Sequence, residues 1–324
     1  KENVDEVISA FAKLQIGLSA VSLTYQSFLS LFDKVSTYTK VESNIANLNI
    51  ASNKSLGDMR ATLKEFLGLS SEIPKNVNEL ITTADALVRT GRSYKEALEI
   101  TRETAKLSVA TGEDLDNTAK TVTKVMVSLG IESKQVKDVL NILHSTAIQT
   151  ASSMESISGG MNQVAGSLGA IAQSSGRSGE ELAKYKKELL EVGAVGLGVM
   201  NNLGKSASES GTKVKVLFTR LITMEKTARG LFNKDTKDYK LDDKYMKALG
   251  TQSNVLNADV LSQLARKDLP LAIELMSKLK VEGVVTGQTI QKMFTQRHAL
   301  DMEVYLGQVN GNIQNIVDTV TKGK

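Results

Sequence analysis

Apolar and aromatic side chains fall at Val7, Phe11, Leu14, Leu18, Val21, Tyr25, Phe28, Phe32 and Val35, at alternating spacings of four and three residues. A 3.5-residue repeat puts them all on one stripe of an α-helix, a stripe from which a straight helix drifts away. Kept up this long, it predicts a helix that supercoils with partner helices, with these positions as the oligomerisation seam. The phase slips near Thr39 and resumes at Val41, Ile45, Leu48, Leu56, Met59, Leu63 and Phe66, with Asn44, Asn47, Asn49 and Asn53 crowding the slip. Residues 1–67 are therefore expected to form one long coiled-coil helix, weakened around the asparagines. The stretch from Leu14 to Phe32 carries no formal charge and has about the length needed to cross a bilayer. However, Gln15, Ser19, Ser22, Thr24, Gln26, Ser27 and Ser30 line its other side, and such a polar face suits a coiled coil better than lipid.

Past the break at Gly68 to Pro74 the pattern shortens. Residues 75–231 read as a helical core, and Pro74, at the end of the break, suits the first turn of the next helix. Ser93 and Glu96 have the spacing of a capping box, and helices stop at Gly91, Gly112 and Gly130. Leu115, Ala119, Val122, Met126 and Leu129 share one helical face, as do Val136, Leu140, Leu143 and Ala147. Between 152 and 204, glycines stand at Gly159, Gly160, Gly166, Gly169, Gly176, Gly179, Gly193, Gly196, Gly198 and Gly204. An interior glycine weakens an exposed helix by about 1 kcal/mol, so these helices are either very closely packed or soft. Thr212 to Met224 reads as a helix, and the alternating charges from Asn233 to Lys240 mark residues 232–257 as a charged linker. In a C-terminal helical segment, 258–324, Pro270 opens a helix and further helices are expected over Ile290–Leu306 and Ile313–Val320.

Composition supports an elongated all-α protein. There are 2 prolines, no Trp, no Cys and 4% aromatics against 41% hydrophobic residues, so the core is aliphatic and nothing interrupts long helices. Forty basic and 36 acidic residues leave a net charge of +4, far from the basic surface of a dedicated nucleic-acid binder. The chain begins at Lys1, not at Met, and reads as a piece of a longer polypeptide. Catalytic, cofactor and metal residues are not expected. His144 and His298 are the only histidines, and neither lies in a ligand spacing. His144 sits beside Leu140 and Ala147, as a partly buried helix residue would. Asp242, Asp243, Glu180 and Glu181 suit helix starts.

Several elements occur in a telling order: Leu87-Val88-Arg89-Thr90-Gly91, Ala110-Thr111-Gly112-Glu113-Asp114-Leu115 and Val127-Ser128-Leu129-Gly130-Ile131. Val139-Leu140, Ser152 to Ile157, Ser178-Gly179-Glu180-Glu181-Leu182, Gly204 and Ser210-Gly211-Thr212 follow, leading into Leu217-Phe218-Thr219-Arg220-Leu221. Over roughly residues 80 to 225 this succession resembles the core of phage tail tape measure proteins, and Met293-Phe294-Thr295-Gln296-Arg297 is similar to a segment that often follows it. The Gly159-Gly160 pair and Lys184-Tyr185-Lys186-Lys187 depart from the pattern. The resemblance implies a structural, non-enzymatic virion protein, assembled in the host cytoplasm and held in the tail tube lumen or at the tail tip. It implies a homotrimer that sets tail length and leaves ahead of the DNA during genome ejection. The implied partners are other copies of the chain, the tail tube protein, tail tip or baseplate hub proteins, the end of the DNA and, on ejection, the host membrane. The competing reading is a helical membrane-active protein of the pore-forming or translocator type, built on Leu14–Phe32 and the glycine-rich Val192–Leu203. A coiled-coil scaffold ranks below it, because no second heptad arm is present.

Overall fold

The computed structural model describes residues 35–224, 226–294 and 298–307. The helices there are α1 (Val35–Ala51), α2 (Met59–Glu72), α3 (Val77–Arg89), α4 (Tyr94–Thr111), α5 (Leu115–Leu129), α6 (Val136–Gln149) and α7 (Met154–Ser174). They continue as α8 (Gly179–Asn202), α9 (Ala207–Thr223), α10 (Lys226–Asp235), α11 (Asp243–Leu249), α12 (Ala258–Lys267), α13 (Leu269–Val281), α14 (Gly287–Phe294) and α15 (298–307). Among the described residues the remaining regular structure is two 3-10 turns and a lone antiparallel bridge between Lys240 and Val255. The chain is all-α, as its composition and periodicity require.

Helix ends follow local chemistry. Ser93 accepts from the Glu96 amide while Glu96 accepts from the Ser93 amide, the expected capping box, and Ser206 and Glu209 repeat it at α9. Asp114, Ser153 and Asn257 cap α5, α7 and α12 through their side chains. Gly112, Gly130 and Gly250 close α4, α5 and α11 in the left-handed conformation that glycine adopts without a Cβ clash. Pro270 lies in the first turn of α13, where no amide is needed. Pro74, by contrast, precedes the Asn76 cap of α3 and stays outside the helix.

The stripe from Val7 to Phe32 lies outside the described residues, as does Ile313–Val320; Val35 is the first residue of α1. A single helix through residue 67 does not form. α1 ends at Ala51, Asn53 takes φ 57°, and α2 returns against α1. The asparagines explain the reversal, because their amides find partners inside the chain. Asn49 donates to the Ser55 carbonyl (3.2 Å) and accepts from the Thr62 hydroxyl (2.9 Å), while Asn44 donates to Asn78 on α3 (2.8 Å). Ile45 and Leu48, two of the resumed stripe positions, are buried in the core and not in a seam between copies.

One connected apolar cluster runs from Ile45 to Leu306, with α7 central and in contact with α5, α6, α8 and α9. Residues 232–257, whose charges suggest a linker, bury Phe232, Thr236, Leu241, Tyr245, Leu249 and Leu256 in it. Their charged side chains alternate with those anchors and stay wet, so charge pattern alone concealed the packing. Among the described residues no helix is long and apolar enough to cross a membrane.

Candidate functional site

From Leu189 to Met200, α8 is buried on every side. A helix can be covered all round only if its neighbours come close, and glycine makes that approach possible. A Cβ on Gly193 would lie 2.9 Å from Leu168 Cδ1, and one on Gly196 would lie 3.1 Å from Val214 Cγ2. At Gly198 it would collide with the Thr150 side chain. On α7, a Cβ at Gly160 would meet Leu197 Cδ2 at 2.5 Å, and one at Gly169 would fall on the Ser128 carbonyl oxygen of α5. Gly211 of α9 rests on the Gly160 carbonyl, 2.6 Å from where its Cβ would be. Of the glycines that the sequence leaves as packed or soft, Gly160, Gly169, Gly193, Gly196 and Gly198 are therefore packing glycines, and Gly211 of α9 is a sixth. Gly166 is different: it faces solvent with nothing near it. Gly176, Gly179 and Gly204 have positive φ at helix ends.

Polar clasps tie the outer helices to this centre. The Arg177 guanidinium lies 3.8 Å over the Tyr185 ring, donates to the Lys267 carbonyl and pairs with Asp268 at 3.2 Å. Tyr185 in turn accepts from the Leu269 amide (3.1 Å) at the start of α13, and burial raises its hydroxyl pKa to about 12. A second clasp joins α9 to α15, where Asp301 accepts from Lys213 and lies 3.4 Å from Lys205. His298 Nδ1 is 3.4 Å from Lys213 Nζ. A third ties α10 to α14: Asp235 accepts from Thr286 N, Thr286 Oγ1 and Thr289 Oγ1 at 3.0, 3.0 and 2.6 Å.

Glu191 is the one charged residue in the buried stretch of α8, only 5% exposed. Burial raises its pKa to about 7; Lys187 opposes the shift, while Glu188 and Asp138 reinforce it. An unfolded chain loses this proton near pH 4.3. Above that pH the folded carboxyl keeps a proton the unfolded one has lost, so the fold loses stability up to about pH 7 and no further. Glu191→Gln is therefore expected to stabilise the chain at pH 8 by roughly 1–3 kcal/mol and to leave it unchanged at pH 4. Thermal unfolding at the two pH values checks this; an equal shift at both would refute it.

Among the described residues no group of three or more His, Asp or Glu is placed to hold a metal. A groove of about 500 Å³ between α7 and α9 is open and lined by Gln163, Thr212, Lys215, Val216, Thr219 and Arg220. It gathers no acid, base or nucleophile into a catalytic arrangement. His144 is half-buried on α6, as its place beside Leu140 and Ala147 indicates.

Of the motif residues, Leu87, Val88, Leu115, Leu129, Leu217 and Phe218 are core, and Gly91, Gly112 and Gly130 carry the left-handed turns. Met293 and Phe294 are buried, while 295–297 lie outside the described residues. Glu180 and Glu181 occupy the first turn of α8. Sequence reading missed the clasps, whose members are far apart in the chain: 91 residues separate Arg177 from Asp268 and 88 separate Lys213 from Asp301. The one available signal was the irregular Lys184–Lys187 run, which contains Tyr185.

The profile of the family described as phage-related minor tail protein matches residues 63–294, which takes in α3 to α14 and all six packing glycines. No curated protein and no solved structure matches the chain. The match covers well over half of the sequence and coincides with the shared helical core, so the chain belongs to the phage-related minor tail protein family.

Proposed function

We propose that this phage tail protein is the tape measure of its tail. In this role three copies lie in the tail tube lumen, and the length of their extended part fixes the length to which the tube polymerises. The observation that carries the reading is the succession of a 3.5-residue stripe, Val7 to Val35, and a family-matched helical core, residues 63–294. The stripe holds the copies together by knobs-into-holes packing, and a helix converts residue count into length at about 1.5 Å per residue. The core is then a folded body that meets other tail components, the tube protein and the tip or hub among them. Departure ahead of the DNA into the host follows from the same placement. Parts not represented by the matched core extend the ruler and contact the DNA end or the host membrane.

In-frame deletion of whole heptads within residues 7 to 35 of the parent gene tests the ruler. Removing two to four heptads is expected to shorten tails by about 21 to 42 Å as seen by electron microscopy. Viable particles with tails of unchanged length would remove the ruler role from this segment.

A further inference from the structure

The α9–α10 connection passes through Met224, whose backbone sits at φ 36° and ψ 105° and whose side chain is 1% exposed. A long L side chain avoids this region, so the conformation persists only if its surroundings impose it. Most of the other positive-φ turns at helix ends fall on glycine, at Gly91, Gly112, Gly130, Gly176, Gly204, Gly250 and Gly283, and the remaining non-glycine ones among the described residues are Asn53 and Ala151, both far shorter than methionine. Between Ala207 and Asp235 there is no proline, and the two glycines, Gly211 and Gly230, stand away from the break. Local sequence thus favours a helix that runs on, and packing stops it. α12 and α14 each touch both α9 and α10, holding the pair at an angle. Arg229 pairs with Asp259 at 3.1 Å, Asn233 accepts from the Ala258 amide at 2.8 Å, and Asp235 holds Thr286 and Thr289. Each of these ties is polar, and the Arg229–Asp259 pair is largely exposed.

We infer that the break at Met224 is a hinge with a second state, in which α10 releases α12 and α14 and joins α9 in one helix from Ala207 to Asp235. Releasing the ties relieves the backbone at Met224; exposing Ala228, Phe232 and Thr236 opposes release, so the bent form prevails in the free chain. The inference rests on backbone geometry and stands independently of the tape measure reading.

The chain has no cysteine, so Ser208→Cys and Lys234→Cys, both at exposed positions, give one clean pair of spin labels. A continuous helix sets them about 39 Å apart, and the bent arrangement brings them closer. Met224→Ala and Met224→Gly both remove the thioether chain, but alanine favours the helix and glycine accepts the positive φ. Pulsed dipolar spectroscopy is expected to show the long distance several-fold more populated in Met224→Ala than in Met224→Gly. Identical distributions in the two variants would overturn the hinge. Should either fail to fold, Asp235→Ala in a chain that keeps Met224 takes their place. There a new component near the helical distance is expected, and its absence overturns the inference.

Discussion

Gly169→Ala is expected to lower the melting temperature by roughly 6–12 °C, corresponding to about 3 kcal/mol in a chain of this size. The figure sits at the upper end of overpacking costs because the obstacle is backbone. The new methyl would land on the Ser128 carbonyl oxygen, and that carbonyl belongs to α5, whose own position is fixed by buried Val122, Val125, Met126 and Leu129. Neither helix can yield without moving the other. The neighbouring Gly166→Ala supplies the contrast. It lies one turn away on the same helix, faces solvent and meets nothing, so removing backbone freedom should stabilise by about 0.5–1 kcal/mol. Thermal unfolding of the two variants side by side separates packing from softness. If both raised stability, the close contact of α7 with α5 would be wrong.

That contrast also shows what a single sequence reveals. Gly166 and Gly169 are indistinguishable on the page, because the identity of the partner, a carbonyl forty-one residues earlier, is a tertiary fact. The capping box at Ser93 and Glu96 and the stops at Gly112 and Gly130 were legible, since each depends on groups within a few residues. So were the buried faces of α5 and α6, where helical period and burial coincide. The reversal after Ala51 was not. The seven-residue phase of Ile45 is kept across it by Met59 and Phe66, and the pairing of Asn49 with Thr62 and Ser55 shows that the chain turns. The helix expected over Thr212 to Met224 ends where α9 does, but no local residue signals the bent backbone at Met224.

Asp301→Ala is expected to cost about 3 kcal/mol at pH 7, the second large effect. Lys213 is 7% exposed on α9, and the Asp301 carboxylate is its counter-ion. Removing it leaves the ammonium buried beside His298 and near Lys205, with its attraction gone and its desolvation undiminished. The pH dependence follows from the carboxyl itself. Burial pushes its pKa up, but the hydrogen bond and charge of Lys213, helped by Lys205, outweigh burial and hold it below the ordinary value. A lowered folded pKa means that the stabilisation is fully present above the unfolded value, about 3.9, and is lost as pH falls through the folded one. The deficit of Asp301→Ala against the parent chain should thus be full at pH 7 and shrink as the carboxyl of the parent is titrated in acid. Lys213→Met combined with Asp301→Leu fills similar volume without charge, and is expected to recover most of the loss, because a buried pair replaced whole by apolar groups is close to neutral. Equilibrium unfolding of Lys213→Met, of Asp301→Leu and of the double closes the cycle. Additive losses would mean that α15 is held by its apolar side, Met302, Tyr305 and Leu306, and that the clasp only decorates it. Recovery in the double variant would show that Lys213 and Asp301 act as one unit, which fixes how α15 meets α9.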